Sequence, residues 1–330
     1  MSKVNSPTLL FVGHLPPPVT GENICRRRLS KLLSALGATT LDVRRRDRTA
    51  WIGSPSAVVL INGDSKRGSL FDFMLTLWWG LRGRKVFWYF HNRSWRRFAR
   101  VPVFLWPTRF RPQPIVITQA IQAAFFARGY RPVLLRNAAE GVFKPRESEQ
   151  PTIRRLVFVG RLEKAKGFYT ALEVYTQLYA EDSRWVFDVY GKGDDVVERV
   201  QAFNSAVRLH GWVQGEGKRA AYAAGGILIF PSPIEVLPMV IIEAFSQGVP
   251  VVASGVGGIP EMITEGDAGA GIVVRDGAVE SYVAAVRAVH ADYARYSANA
   301  LRVFNAEYAE ERYIRQVKEI FAEYLFERDV

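Results

Sequence analysis

The chain has 330 residues, of which 48% are hydrophobic and 23% charged, and its net charge is +12. This length allows two domains with sizeable cores. The single cysteine, Cys25, excludes an intrachain disulfide and a multi-cysteine metal cluster. No stretch reaches the roughly 18 consecutive apolar residues of a membrane span. The lone cysteine suits a reducing compartment, so we expect a cytoplasmic protein.

Short apolar runs alternate with longer helical patterns along the whole chain. Strands buried on both faces give such runs, and their alternation with helices predicts two parallel sheets built from βαβ units. The predicted strands of the first half are Leu9–Val12, Ala57–Ile61, Val86–Phe90, Ile115–Thr118 and Val133–Leu135. Those of the second half are Leu156–Val159, Trp185–Tyr190, Arg208–His210, Ile227–Phe230, Val249–Ala253 and Ile272–Val274.

The chain also shows where its domains end. The polar stretch Phe143–Thr152, with its prolines and charges, is typical of a linker. The segment Ala306–Phe326 has apolar residues at helical spacing and predicts an amphipathic helix. We therefore predict an N-terminal α/β domain over residues 1–148, a second over 149–305, and a helix over 306–330 that packs back on the first domain.

Charge is divided unevenly between the two halves. Residues 1–150 hold 25 Lys or Arg and 8 Asp or Glu, whereas residues 151–330 hold 19 and 24. Basic residues alternate with aromatic and aliphatic ones in Cys25–Leu33, Phe71–Lys85 and His91–Arg100. This pattern suits an anionic membrane surface. Alternatively, Trp78 and Trp79 lie in the core and the arginines are merely solvated.

Two glutamates bracket a predicted helix start in "PSPIEVLPMVIIEAFSQG", which runs from Pro231 to Gly248. Pro238 suits the first turn of a helix and Gly248 its end. Glu235 then precedes the helix, Glu243 lies inside it, and the first-turn N–H groups of Met239 and Val240 form an anion site. The carboxylates would accept hydrogen bonds from sugar hydroxyls. Without other signals, both glutamates could equally be ordinary loop and solvated helix residues.

A basic pair follows the first predicted strand of the second half. "VFVGRLEKAKG" places Arg161 and Lys166 after the strand that ends near Gly160. Arginine binds a diphosphate bidentately and lysine binds it as a point charge. A diphosphate bound here would also account for the anion site at the start of the nearby predicted helix.

These stretches together resemble the retaining glycosyltransferases of family 4, which have the GT-B fold. Glu235 and Glu243 reproduce that family's pair of glutamates separated by seven residues, and "GVPVVASGVGGIPEMI" (Gly248–Ile263) and "VGRL…KG" (Val159–Gly167) are similar to its other motifs. "LLRNAAEGVFKP" (Leu134–Pro145) matches less well. In the first half, "GHLPPPVTGEN" (Gly13–Asn23) and "FWYFHNRS" (Phe87–Ser94) resemble a glycine-containing loop and a histidine-bearing strand end.

The resemblance implies two Rossmann-like domains whose parallel sheets face a cleft, with a C-terminal helix crossing back. It also implies roles for individual residues. Arg161 and Lys166 would bind the donor diphosphate, together with the backbone N–H groups of Met239 and Val240. Glu243 would hold the ribose, Glu235 and His91 the transferred sugar. Glycines would allow close backbone approach near the donor: Gly13, Gly21, Gly257 and Gly258. His91 could instead be a hydrogen-bonded core histidine.

We therefore predict a retaining hexosyltransferase that uses a UDP- or GDP-sugar and a glycan acceptor, which we expect to be lipid-linked, in bacterial surface-polysaccharide synthesis. The chain has no D-x-D motif, so we expect neither a metal nor another cofactor, and cationic side chains would offset the diphosphate charge. We expect a peripheral location on the inner face of the cell membrane. The alternatives are a sugar-nucleotide epimerase or hydrolase, a catalytically inactive homologue, and a basic nucleic-acid-binding protein, which would leave the two glutamates unexplained.

Overall fold

The computed structural model describes residues 9–13, 21–42, 55–61, 66–139, 154–193, 200, 206–263 and 268–325. Two compact units divide the chain. The first comprises Met1–Asn137 together with Glu311–Val330, and the second comprises Ala138–Glu310. The predicted boundaries fall after residues 148 and 305, whereas the units divide after Asn137 and Glu310. The predicted linker Phe143–Thr152 lies outside the described residues.

The first unit contains a six-stranded parallel sheet in the order β2-β1-β3-β4-β5-β6. Its strands are β1 (Leu9–Gly13), β2 (Thr39–Asp42), β3 (Ala57–Ile61), β4 (Lys85–Phe90), β5 (Gln113–Val116) and β6 (Val133–Leu134). The five predicted strands are all present. The sequence analysis missed β2, "TTLD", because it is short and polar and forms the edge of the sheet.

Helices connect these parallel strands, as crossover connections require. They are Gly21–Ala35, Lys66–Leu81, Trp95–Phe98 and Gln119–Phe126, with 3₁₀ turns at Val103–Leu105 and Thr108–Phe110. The Gln119–Phe126 helix begins at an N-cap, because Thr118 Oγ1 accepts a hydrogen bond of 3.2 Å from the backbone N–H of Ile121.

The second unit contains another six-stranded parallel sheet, in the order β12-β11-β10-β7-β8-β9. Its strands are β7 (Arg154–Val159), β8 (Trp185–Tyr190), β9 (Val207–Gly211), β10 (Ile227–Phe230), β11 (Val251–Ser254) and β12 (Gly271–Val274). Its helices are Phe168–Glu181, Gly215–Ala223, Met239–Ser246, Ile259–Ile263, Val279–Ala291 and Tyr293–Val303, with a 3₁₀ turn at Lys164–Lys166 and a π-helical turn at Phe304–Tyr308. All six predicted strands of this half are present.

A buried charged network joins three strands of the second sheet. Arg155 Nε lies 2.5 Å from Asp188 Oδ2, and His210 Nε2 lies 2.6 Å from the other carboxylate oxygen. The Arg155 guanidinium also donates to the carbonyl oxygens of Ala221 and Gly225, at the C-terminal end of the Gly215–Ala223 helix. Burial raises the pKa of Asp188, but hydrogen bonds from His210 and Arg155 outweigh it and hold this pKa below its ordinary value. The network therefore fastens a helix end to the sheet.

The C-terminal helix, Glu310–Leu325, contacts the first sheet. The Phe321 and Tyr324 rings meet the Phe87 ring of β4 edge-on, with centroid distances of 5.2 and 5.7 Å. Tyr313, Val317 and Phe321 form its buried face, at the helical spacing that the sequence showed. Residues 311–330 accordingly group with the first unit.

Among the described helices, none combines the length and apolar character that crossing a bilayer requires.

Candidate functional site

The predicted site residues of the second unit lie where the strand order of its sheet reverses. From β7 the chain proceeds to β8 on one side, and from β10 it proceeds to β11 on the other, while β7 and β10 are paired neighbours. The carboxyl ends of parallel strands at such a switch point form the usual ligand crevice of open α/β sheets. The turn after β7 carries Lys166, and the loop after β10 carries Glu235.

An ion pair bridges these two loops. Lys166 Nζ lies 2.7 Å from Glu235 Oε1, with the lysine side chain 28% exposed and the glutamate side chain 12% exposed. The Ser232 hydroxyl donates a 3.0 Å hydrogen bond to the same carboxylate oxygen. The pair is therefore partly shielded from water, and the carboxylate is fixed by donors from both sides.

A glycine allows the two loops to come this close. Gly167 has φ +73°, and a Cβ atom there would lie 2.2 Å from the carbonyl oxygen of Pro231. Any other residue would strain the backbone and push the loops apart. Gly167 thus sets the spacing across which Lys166 meets Glu235.

The predicted glycine turn, Gly257 and Gly258, supports the Glu235 loop from the β11 side. The N–H of Gly258 donates to the carbonyl oxygen of Val236 at 2.8 Å. Gly257 has φ +58°, and a Cβ atom there would lie 2.2 Å from the carbonyl oxygen of Glu235. Both glycines therefore position the backbone that presents Glu235.

The Met239–Ser246 helix starts immediately after Pro238, as the sequence predicted, and Gly248 follows it with φ +63°. Met239 and Val240 form its first turn, so their N–H groups point toward the end that carries the positive pole of the helix dipole. This end follows β10 at the switch point, beside the Glu235 loop.

Glu243 lies inside that helix and is 4% exposed. Its Oε2 lies 2.5 Å from Lys218 Nζ, contributed by the Gly215–Ala223 helix. Tyr222, one turn after Lys218, is also buried; burial, together with the Glu243 carboxylate, raises the pKa of the tyrosine. The sequence analysis missed Lys218. The spacing of Lys218 and Tyr222, four residues apart, places both on one helix face and is the signal that could have identified them.

Arg161 is placed differently from Lys166. Its side chain is 61% exposed, and its guanidinium forms a 2.9 Å ion pair with Glu163 two residues later. The structure therefore brings together Lys166, Glu235 and the Gly257–Gly258 turn, whereas Arg161 remains on the surface of the same loop.

His91 belongs to the first unit and follows the carboxyl end of β4. It is 7% exposed, and within the described part of the chain neither ring nitrogen has a hydrogen-bond partner. Its ring meets that of Tyr89 edge-on at 4.0 Å. Burial, and then the neighbouring Arg26 charge, lower its pKa well below the ordinary value. The alternative of a hydrogen-bonded core histidine therefore has no hydrogen bond to support it among the described residues.

The two glycines predicted for the N-terminal loop frame a segment that is not described. Gly13 ends β1, and Gly21 begins the Gly21–Ala35 helix. The intervening residues 14–20, including the Pro16–Pro18 turn, lie outside the described residues, and so does the acidic pair Asp194–Asp195. In the described ranges, no group of three or more His, Cys, Asp or Glu side chains is arranged to hold a metal ion.

Comparison with known proteins identifies a domain in the second half of the chain. Residues 153–292 match the family model described as "Glycosyl transferases group 1". A segment of 142 residues, 43% of this chain and 27% of its relative, is 34% identical to a sulfoquinovosyl transferase of Arabidopsis thaliana. A segment of 121 residues, 34% of this chain and 31% of its relative, is 32% identical to the O-antigen chain mannosyltransferase B of Escherichia coli. The matched segments thus span less than a third of these curated relatives.

Solved structures resemble the whole chain. The crystal structure of Anabaena HepE in complex with UDP superposes with a TM-score of 0.72, covering 96% of this chain and 100% of that one at 17% identity. At this identity the likeness establishes the fold, two parallel-sheet α/β units of the GT-B type. The residues that match the group 1 glycosyltransferase model include Lys166, Lys218, Glu235 and Glu243.

Proposed function

We propose that the chain is a retaining glycosyltransferase that moves a hexosyl unit from a UDP- or GDP-sugar to a hydroxyl group of a glycan acceptor. The acceptor would be lipid-linked, in bacterial surface-polysaccharide synthesis at the inner face of the cell membrane. The observation that carries this proposal is the Lys166–Glu235 ion pair at the switch point, beside the first turn of the Met239–Ser246 helix.

The charges at this point suit a diphosphate sugar. In the reaction, the bond between the anomeric carbon and the diphosphate oxygen breaks, and a bond from that carbon to the acceptor oxygen forms. The acceptor proton passes to the departing phosphate oxygen. Negative charge grows on the diphosphate, and fixed donors aimed at such charge are the largest catalytic term in many enzymes, worth about 3–4 kcal/mol each. Lys166 and the helix end would supply them without a metal, and Arg161 would join them by leaving Glu163.

The carboxylates would recognise hydroxyl groups. Glu235, 12% exposed and held by Lys166 and Ser232, has its orientation set before a ligand arrives, which suits a group that positions the transferred sugar. Glu243, held by Lys218, would accept hydrogen bonds from the ribose. His91 would use its two ring nitrogens on the transferred sugar, where hydroxyl groups would satisfy both.

A ligand panel tests the proposal. The purified protein is heated with UDP-, GDP-, ADP- and TDP-sugars, and a donor bound by the native form raises its melting temperature. The stabilising donor is then incubated with glycan acceptors, and the anomeric configuration of the product is read by NMR. Conversion of the sugar without an acceptor would identify an epimerase or hydrolase instead, and an inverted product would exclude retention.

Alanine variants separate the two carboxylates. We expect Glu243→Ala to weaken nucleotide binding and Glu235→Ala mainly to slow turnover. Glu181→Ala is a matched control, because Glu181 also belongs to the second unit and also pairs with a basic side chain, that of Arg287, but on an exposed surface. Wild-type binding and turnover in both site variants would refute the assigned roles.

A further inference from the structure

The Lys66–Leu81 helix carries an apolar stripe that faces solvent. Leu70, Met74, Leu77 and Leu81 are 63%, 59%, 46% and 70% exposed. Their spacings of four, three and four residues place them on one side of the helix, within an arc of about 60° at 100° per residue. We call these four residues the outer stripe. Large aliphatic side chains in such a continuous row are unusual on a solvated surface.

Contacts on the opposite side of the helix fix its rotation. Leu75 and Trp79 are 4% and 1% exposed, and the Trp88 indole N–H donates a 2.9 Å hydrogen bond to the Thr76 hydroxyl. Phe73 stacks on Phe98 with the ring centroids 4.5 Å apart. The helix therefore cannot roll its outer stripe into the core without giving up these contacts.

The segment of the chain that contains the outer stripe is strongly cationic. Residues 66–139 hold fourteen Lys or Arg and a single acidic residue, Asp72, giving a net charge of +13. Asp72 is 7% exposed and lies on the inner side of the helix. Lys66 and Arg82 are exposed at the two ends of the helix, and the Arg82 guanidinium lies 3.5 Å from the centroid of the Trp78 ring. Cationic side chains thus flank the outer stripe at both ends of the helix.

We infer that the outer stripe is the surface by which this protein docks onto an anionic phospholipid bilayer, with the Lys66–Leu81 helix lying in the plane of the interface. A helix of 16 residues is about 24 Å long at 1.5 Å per residue, too short to span a bilayer core of about 30 Å. In the interface, the leucines and Met74 enter the acyl boundary while Lys66, Arg82 and Arg84 meet lipid phosphates.

Other occupants fit the stripe less well. Single-stranded nucleic acid binds exposed aromatic rings by stacking, whereas the outer stripe is aliphatic. A second copy of this chain, paired through the same helix, would bring two regions of charge +13 together, and such like-charge contacts are unfavourable. A bilayer rich in anionic lipid offers the apolar layer and the negative charge at neighbouring depths. The inference specifies the membrane contact of the proposed function but does not depend on the transfer reaction.

Vesicle flotation tests the docking surface. The full chain is mixed with vesicles of phosphatidylcholine containing about 30% phosphatidylglycerol, or with pure phosphatidylcholine, at low and moderate salt. We expect binding to the anionic vesicles, and a loss of at least about 30-fold in the partition coefficient when the outer stripe is replaced in the combined variant Leu70→Gln, Met74→Gln, Leu77→Gln, Leu81→Gln, since apolar burial drives insertion. Trp212→Gln, which replaces an exposed apolar side chain of the second unit, should bind like the wild type.

A nitroxide label reports the depth of insertion. Attached through Leu77→Cys in a Cys25→Ser background, it should become more accessible to oxygen and less accessible to a water-soluble nickel complex when anionic vesicles are added. The same label at Glu181→Cys should not change. A change in accessibility at position 77 but not at position 181 would identify the Lys66–Leu81 helix as the docking element.

Several outcomes would overturn the inference. One is wild-type binding by the stripe variant together with loss of binding in Lys66→Gln, Arg82→Gln, Arg84→Gln, which would mean that charge alone holds the protein. Another is a wild-type dimer that the stripe variant converts to a monomer. A third is no binding to either vesicle. The stripe variant should keep its nucleotide-induced thermal shift, so failure of the vesicle experiment leaves the proposed transfer reaction open to its own test.

Discussion

Replacing Gly257 by alanine should damage the site without touching a charged group. Gly257 has φ +58°, and the new Cβ atom would lie 2.2 Å from the carbonyl oxygen of Glu235 and 3.3 Å from that of Val236. Real Cβ contacts do not fall below 3.0 Å, so the Glu235 backbone would have to move by about 0.8 Å, the difference between 3.0 and 2.2 Å. Backbone atoms cannot rotate away as a side chain tip can, and the shift passes directly to the Glu235 carboxylate.

Two separate costs follow from this substitution. A left-handed conformation costs an L-residue about 1–2 kcal/mol, which lowers thermal stability. Misplacing a catalytic group by about 1 Å lowers the rate by about 10²-fold. Gly277→Ala separates these costs, because Gly277 has φ +72° and a Cβ atom added there would meet no atom within 4 Å. Gly277→Ala should lose stability only through the left-handed conformation, and it should keep its rate.

The assay compares the two variants with the donor and acceptor that the ligand panel identifies. We expect kcat/KM to fall about 10²-fold in Gly257→Ala and to stay near the wild-type value in Gly277→Ala, with both melting temperatures below that of the wild type and that of Gly257→Ala the lower. Equal rates in the two variants would show that the glycine turn does not position Glu235, and the reasoning from the 2.2 Å contact would fail.

Four further predictions concern ionisable groups. Lys218→Met leaves the Glu243 carboxylate buried without its cation and should cost about 3–5 kcal/mol in urea unfolding, whereas adding Glu243→Gln should recover most of that loss; no recovery would argue against the pair. Because the folded-state pKa of His91 is depressed, protonation as the pH falls favours the unfolded chain. At pH values below about 6.5, the free energy of unfolding should therefore decrease by up to about 1.4 kcal/mol per pH unit, and the slope should be shallower in His91→Gln. The pKa of Asp188 is also depressed, so the ionised carboxylate stabilises the fold above about pH 4, and this contribution is lost as the pH falls through the folded-state pKa. The free energies of unfolding of Asp188→Asn and wild type should therefore converge in acid. A difference that stays constant with pH would contradict this. Arg155→Met should lower stability by about 3–5 kcal/mol at about pH 7 for the same reason as Lys218→Met.

The strands could be predicted where burial left a continuous apolar run. Ala57–Ile61, Trp185–Tyr190 and Ile227–Phe230 have the predicted bounds, because both faces of a parallel sheet are covered by helices. Thr39–Asp42 could not be found in this way, since an edge strand needs less apolar surface. Both ends of the Met239–Ser246 helix were predictable, because Pro238 suits a helix start and Gly248 permits the left-handed conformation that follows its end.

The ion pairs of the site were less predictable. The meeting of the loops that carry Lys166 and Glu235 could be expected only from the family resemblance, since β7 and β10 are neighbours although β8 and β9 lie between them in sequence. Which lysine each carboxylate contacts depends on helix packing, and Lys218 comes from a helix that carried no motif. The outer stripe shows the same limit: the sequence of the Lys66–Leu81 helix is apolar on all sides, and tertiary contacts alone decide that Trp79 is buried and Leu77 exposed.

The lysine partners also resolve an electrostatic conflict in the proposed site. A bare carboxylate about 4 Å from a phosphate charge would be repelled by about 4 kcal/mol at an effective dielectric constant near 20, so glutamates alone would exclude the proposed donor. Lys166 pairs with Glu235 and Lys218 with Glu243, so in the proposed function each lysine would offset its carboxylate near the phosphates, and each carboxylate would still accept hydrogen bonds from hydroxyl groups. The same pairing explains why the two carboxylates can be held at low exposure before any ligand binds. In the proposed function, recognition of sugar hydroxyls and tolerance of a diphosphate would thus depend on the same two ion pairs.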